Sequence, residues 1–198
     1  MSYFQKDPIE KLPDLGISGD FQNFQRPWRT IKFILNSFIN IKTKIRMYTT
    51  VVRPVVLYGC EAWALTQTLE KRLLVFENSV LRRITGPVFD RETHSWRRRH
   101  NEELREVTRV PLITNILKAR RMKWAGHVKR MNNTRYPKQT LEGGVGGRRR
   151  RGRPRTRWND CVEKNVQELE DTEETWQEIA ENRPRWRGLC RAAMGHVT

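Results

Sequence analysis

A chain of 198 residues and 23.6 kDa has room for one domain or two small lobes around a modest core. Lysine and arginine number 39 against 22 acids, a net charge of +17 with a pI near 10.6, and this calls for a polyanionic partner, nucleic acid ahead of an acidic membrane surface. No apolar run reaches the roughly 18 residues of a membrane span, and Met1 to Asp20 lack a cationic start followed by an apolar stretch, which argues against a secretory signal. Cys60, Cys161 and Cys190 are too few and too scattered for a disulfide framework or a four-cysteine zinc site, so a reducing compartment fits.

The expected fold is mainly α: a small helical bundle, a basic flexible linker and a C-terminal helical hairpin. Residues 1–27 carry Pro8, Pro13, Gly16 and Gly19 without periodicity and are expected to form a disordered leader. Residues 28–131 follow helical spacing. Ile31, Ile34, Leu35, Phe38, Ile41 and Ile45 recur at steps of three and four, until Pro54 disturbs the backbone. Val55 to Tyr58 fits either a strand or a buried helical turn. Leu69, Leu73, Phe76, Val80 and Ile84 mark a second stripe that stops at Gly86-Pro87. Pro111 suits the first turn of a further helix, with Ile113, Leu117, Trp124, Val128 and Met131 on one face. Residues 132–157 form the linker. Residues 158–198 return to helix, with a stripe at Trp158, Val162, Val166 and Leu169 and a capping-box pair, Thr175 and Glu178.

Trp124, Trp158, Trp176 and Trp186 fall on apolar stripes and are expected to anchor the core rather than stack on bases. Trp96 differs, because it stands among His94, Arg97, Arg98, Arg99 and His100, where an aromatic ring could meet a base.

Chemistry needs a constellation that the sequence does not supply. Two-metal phosphoryl transfer requires neighbouring carboxylates, and the chain has no Asp-Asp pair and no acid–any–Lys nuclease pattern. The four histidines, His94, His100, His127 and His196, do not stand at zinc-ligand spacing from one another or from the cysteines. Gly143-Gly144-Val145-Gly146-Gly147 lacks a following Lys-Ser/Thr and suits a hinge rather than a phosphate loop. No catalytic residue, metal or cofactor is expected.

Between Lys118 and Arg157 stand 15 cations against one acid, Glu142, a local charge of +14. Lys118, Arg121 and Lys129 are expected on the face of their helix opposite the packing stripe, free to meet phosphates. Arg148, Arg149, Arg150, Arg151, Gly152, Arg153, Pro154 and Arg155 continue the track. Arg151-Gly152-Arg153-Pro154 resembles an AT-hook, whose glycine lets the backbone reach the minor-groove floor and whose proline keeps the preceding arginine extended. A non-specific phosphate-binding linker or a nuclear-import tract accounts for the same residues, and either import or DNA binding would favour the nucleus over the cytoplasm. The sign then inverts: Trp158 to Asn182 holds nine acids against Lys164 alone, as a solvated face or as a shield for the basic tract.

An ordered set of motifs resembles a known family. Val51-Val-Arg-Pro-Val-Val-Leu-Tyr-Gly-Cys-Glu-Ala-Trp-Ala-Leu65 is similar to the segment downstream of the polymerase active site in non-LTR (LINE-type) retrotransposon reverse transcriptases. It follows Thr43 to Tyr48 and precedes Glu70 to Leu73, Phe76-Glu77, Val80 to Pro87, Arg120 to Val128, Arg150 to Pro154, Trp158 and Trp186. The resemblance implies the end of a polymerase and its thumb, followed by a basic C-terminal region, with the metal-binding palm and the endonuclease outside this segment. It implies gripping of a template–primer, RNA, DNA or hybrid, alone or beside a polymerase supplied in trans. A thumb-like bundle over residues 28–131 would offer Lys42, Lys44, Arg46, Arg82 and Arg83 to phosphates, with Arg97, Arg98 and Arg99 extending the track. Arg82 and Arg83 equally suit a helix C-terminus, where the dipole favours cations. Competing expectations are a stand-alone AT-hook-like chromatin protein and an inert remnant.

Overall fold

The computed structural model describes residues 39–64, 66–143 and 156–195. The expected leader, the stripe from Ile31 to Phe38, Trp28, and the tract Arg148 to Arg155 with its hook-like core lie outside the described residues.

The chain is mainly α, with one two-stranded hairpin among the described residues. Helix α1 (Ile41–Met47) is capped by Asn40, whose Oδ1 accepts from the Lys42 N–H at 3.1 Å. It runs through a π-helical turn (Tyr48–Val52) into α2 (Arg53–Val56). Pro54 has no N–H to give the preceding turn, and the helix widens just before it. Val55 to Tyr58 is thus helix and turn, not strand. Gly59, at φ 67°, reverses the chain into a 3-10 turn (Cys60–Ala62).

Helix α3 (Gln67–Thr85) buries Leu73, Phe76, Val80 and Ile84 as their spacing requires, and it stops at Gly86. Next comes a hairpin, β1 (Val88–Asp90) and β2 (Ser95–Arg97), pairing Val88 with Arg97 and Phe89 with Trp96. Helices α4 (Asn101–Thr108), α5 (Ile113–Lys129) and α6 (Tyr136–Glu142) follow, then α7 (Trp158–Gln167), α8 (Trp176–Glu181) and α9 (Arg183–Ala192). Two expectations shift. Pro111 precedes α5 rather than entering it, and its carbonyl accepts from Arg53 at 3.1 Å. The linker expected over residues 132–157 contains α6, with Pro137 in its first turn. The Thr175–Glu178 capping box forms, the Thr175 N–H donating to Glu178 at 2.8 Å.

Two apolar clusters hold the fold. One joins Tyr48, Val52, Leu57 and Cys60 to Leu73, Phe76, Leu81, Leu104, Ile113 and Leu117. The other joins Ala119, Met122 and Ala125 to Val162, Val166, Trp176, Ile179, Trp186 and Leu189. Helix α5 belongs to both, through its first half to the one and its second half to the other. Arg120 donates to the Leu57 carbonyl at 3.2 Å, and the Trp158 indole donates to the Glu61 carbonyl at 2.7 Å. These bonds fasten the turn after α2 to α5 and α7.

One polar group sits at the centre of the first cluster. The fully buried Glu77 carboxylate accepts from Arg53 at 2.6 Å, Arg105 at 3.2 Å, the Tyr48 hydroxyl at 3.3 Å and the Ile113 N–H at 3.0 Å. The Tyr48 phenol is shifted upward, chiefly by burial and next by the Glu77 charge, and stays protonated.

A second carboxylate fastens the hairpin. Arg97 grips Glu103 at 2.6 and 3.1 Å and reaches Asp90 at 3.5 Å, while the His100 N–H donates to Glu103 at 3.0 Å. The Arg97 hydrogen bonds first, then that of the His100 N–H, hold the Glu103 carboxyl down to about 2. A depressed folded-state value stabilises above the ordinary glutamate range, and the contribution is lost as pH falls from about 4.3 toward 2. We therefore expect the hairpin signals in an NMR titration, Trp96 above all, to shift over that window. In Glu103→Gln the detached signature should be present already at pH 7. An unchanged Trp96 environment in that variant would refute the tether.

Candidate nucleic-acid interface

Helix α9 is built to lie on α5. Asn182 caps it, its side chain accepting from the Arg185 N–H at 3.2 Å, and Pro184 occupies the first turn. Trp186, Leu189 and Cys190 are buried against α5, and the Trp186 indole donates to the Met122 carbonyl at 2.9 Å. With those positions facing inward, Arg183, Arg187 and Arg191 fall one turn apart on an exposed stripe. Each step is about 6 Å, from a rise of ~1.5 Å per residue. Across from them stand Lys123 and His127 of α5 and its C-cap Arg130, at steps of four and three.

Two hollows separate these rows and share Arg130 and Arg183. One, of about 520 Å³, is lined by Lys123, Arg130, Arg183, Arg187 and Arg191 over a floor of Trp186 and Cys190. The other, of about 550 Å³, adds His127 and Arg135. Among the described residues no carboxylate lines either hollow. Arg130 is steadied by donating to the Ala180 carbonyl. Its guanidinium is shifted downward, first by burial and then by the like charge of Arg183. Cations crowded without counter-ions form a ready anion site, because a polyanion relieves their repulsion on binding.

The cations expected from sequence are distributed differently. Lys42, Lys44 and Arg46 stand on α1, in the first cluster's half of the molecule, and do not line the groove. Arg82 donates to the Arg99 carbonyl at 2.9 Å and to Asn101, and Arg99 donates to the Gly86 carbonyl at 3.2 Å. These two brace the end of α3 against the hairpin, as Arg97 braces the hairpin against α4. Arg83 is half-buried and Arg98 exposed. Lys118 is paired with Glu168 at 2.5 Å, and Lys129 lies 3.7 Å from Glu181 and 3.9 Å from Glu142. The acidic segment thus neutralises part of α5.

Arg121 requires correction. It is 1% exposed, on the inner line Leu117–Arg121–Ala125–Val128, and two of its guanidinium nitrogens make no hydrogen bond. Burial lowers its pKa, and it cannot reach a phosphate from there. Trp124 also departs from expectation: Trp176 and Trp186 are core residues at 1% and 2%, but Trp124 is 37% exposed. Trp158 is half-buried against Trp176, and Trp96 stands 70% exposed on the hairpin with Phe89 at its edge, 5.4 Å away.

Sequence reasoning missed the α9 arginines. The available signal was Arg183 to Arg191, which holds four arginines and no acid directly after the acidic stretch, three of them at steps of four. Among the described residues no group of three or more His, Cys, Asp or Glu is placed to hold a metal ion, and no helix is long and apolar enough to cross a membrane.

Comparison with known proteins gives one informative likeness. An uncharacterized transposon-derived protein of Caenorhabditis elegans is 28% identical over 160 residues, a match covering 79% of this chain and 57% of that protein. The likeness supports a transposon origin. The chain therefore spans little more than half the length of that relative. No family model matches, and no solved structure matches.

Proposed function

We propose that this chain is a nucleic-acid-gripping module of retrotransposon origin, related to the thumb and downstream region of a LINE-type reverse transcriptase. It holds a sugar–phosphate strand in the groove between α5 and α9 and does no chemistry on it. The observation that carries this reading is the acid-free pair of hollows between Lys123, Arg130 and Arg135 on one side and Arg183, Arg187 and Arg191 on the other. The motif order from Val51 to Trp186 and the transposon-derived relative support the parentage. A polymerase acting on the same strand would be supplied by another part of the parent protein or in trans.

Affinity in such a groove comes from releasing counterions, with a salt slope of about −0.9 per duplex phosphate neutralised. The triple variant Arg183→Gln/Arg187→Gln/Arg191→Gln alters only exposed positions. We expect it to fold normally by circular dichroism and to lose about ten-fold or more in duplex affinity at low salt, with a visibly shallower slope. Titrations by fluorescence anisotropy at several salt concentrations would measure both. Wild-type affinity and slope in the triple variant would rule out the groove. A strong preference for A·T-rich duplex, abolished by Arg153→Ala, would instead assign binding to the hook-like residues.

A further inference from the structure

The hairpin β1–β2 has two unlike faces. From Pro87 to Asp90 and from Trp96 to His100 exposure alternates residue by residue, as extended backbone requires. Val88, Asp90, Arg97 and Arg99 are the half-buried set, and the charged ones are committed there: Arg97 holds Glu103 and Asp90, and Arg99 donates to the Gly86 carbonyl. Pro87, Phe89, Trp96, Arg98 and His100 are the exposed set. On that outer face the Phe89 ring meets Trp96 edge-on, at 68° between planes. An indole ordinarily goes into the core. Here the clamp on the inner face keeps Trp96 out in water, on a strand pair that cannot turn over.

Charge on the same face identifies the partner. Arg98 stands exposed two residues beyond Trp96, and among the described residues no ion pair joins it to a carboxylate. The Arg82 guanidinium is shifted downward, first by burial and then by the like charge of Arg98. Asp90, the one acid of the two strands, lies on the inner face with Arg97 at 3.5 Å. The nearest exposed acids in sequence are off the strands, Glu92 in the turn beside Arg91 and Glu102 on α4. An apolar protein surface laid on this face would strip water from Arg98 and return no counter-charge. A flat ring carried on a phosphate satisfies both the indole and the guanidinium. We propose that the outer face of the hairpin stacks Trp96 on an unpaired base of single-stranded nucleic acid, with Arg98 on the adjoining phosphate. Because Phe89 braces Trp96 by its edge, one ring face is offered, and one base is held rather than a run. A base inside a duplex has both faces covered, so the hairpin discriminates single strand from duplex, which the groove does not. The inference rests on the nucleic-acid reading above and adds the strand state to it.

The test uses the full chain and three labelled probes: a DNA single strand of mixed sequence, the same sequence as a long duplex, and the single strand with consecutive abasic positions. Trp96→Ala, at a site 70% exposed, should fold normally by circular dichroism. It should lose about ten-fold in affinity for the intact single strand while its duplex affinity holds. Trp96→Phe should keep most of the binding, and the abasic strand should bind wild type and Trp96→Ala alike. Arg98→Gln should weaken intact and abasic strands equally and lower the single-strand salt slope by about 0.7. Undiminished single-strand affinity in Trp96→Ala, or equal losses on strand and duplex, would overturn the hairpin site and leave the groove standing. Should Trp96→Ala weaken the abasic strand as much as the intact one, the ring would be contacting backbone and base stacking would be refuted. A wild-type dimer that sediments as monomer in Trp96→Ala, with single-strand affinity unchanged, would give this face to a second copy of the chain, and the proposal would fall. If wild type bound none of the probes at low salt, the groove reading would fall, and the hairpin site with it.

Discussion

Replacing Glu77 by alanine should remove a large share of the chain's folding stability. The carboxylate is fully buried and ties α3 to four other groups: Arg53, Arg105, the Tyr48 hydroxyl and the Ile113 N–H. Removing it strands the Arg53 guanidinium, 5% exposed, in an apolar cluster with only the Pro111 carbonyl and the face of Tyr48 for company. Breaking one side of a buried pair costs about 3–5 kcal/mol, a large share of the stability of a small domain. Urea melts followed by circular dichroism would measure the loss. The double variant Glu77→Leu/Arg53→Met should recover a substantial part of it, because no charge is then left unpaired. A Glu77→Ala protein that melts within about 1 kcal/mol of wild type would show that the buried network is not what holds the first cluster.

Gly126→Ala should be the second severe change, for a steric reason. A Cβ at this position would lie 2.1 Å from Nε1 of Trp186 and 2.5 Å from its Cδ1. The indole cannot swing aside cheaply, since it donates to the Met122 carbonyl at 2.9 Å and packs beside Trp176 at 6.2 Å between centroids. In an open helix the alanine would gain about 1 kcal/mol. Here overpacking costs about 1–3 kcal/mol and can cost more, and the net effect should be destabilising. Loss of near-ultraviolet circular dichroism from the Trp176–Trp186 pair should accompany a lower melting temperature. Trp186→Phe, which trims the ring that collides, should soften the penalty of Gly126→Ala when the two are combined. A Gly126→Ala protein as stable as wild type would mean that α9 does not sit on α5 as closely as described.

Both residues lie in motifs visible in the sequence, and the fold brings those motifs into contact. Arg53 of the Val-Val-Arg-Pro run meets Glu77 of the Phe-Glu pair; Gly126 of the Trp-Ala-Gly-His run meets Trp186. The stripe of α3, the stop at Gly86 and the capping box at Thr175 were legible because each depends only on local spacing and backbone preference. The hairpin was not, since strands of three residues each are too short for an alternation to be detected. Arg121 misled because its charge argued for the surface, whereas four-residue steps from Leu117 placed it inside. The cationic groove requires two segments distant in sequence to meet, Lys123 with Arg187. No single stretch carries that information.

The central helix has a mechanical consequence. Because α5 closes one apolar cluster with its first half and the other with its second, neither half of the molecule owns a finished interior. Slow amide exchange should therefore peak along α5 and decay outward on both sides, since any opening there exposes both interiors at once. For the same reason, damage delivered at Glu77 should be felt at Trp186, at the far end of a shared axle rather than behind a hinge.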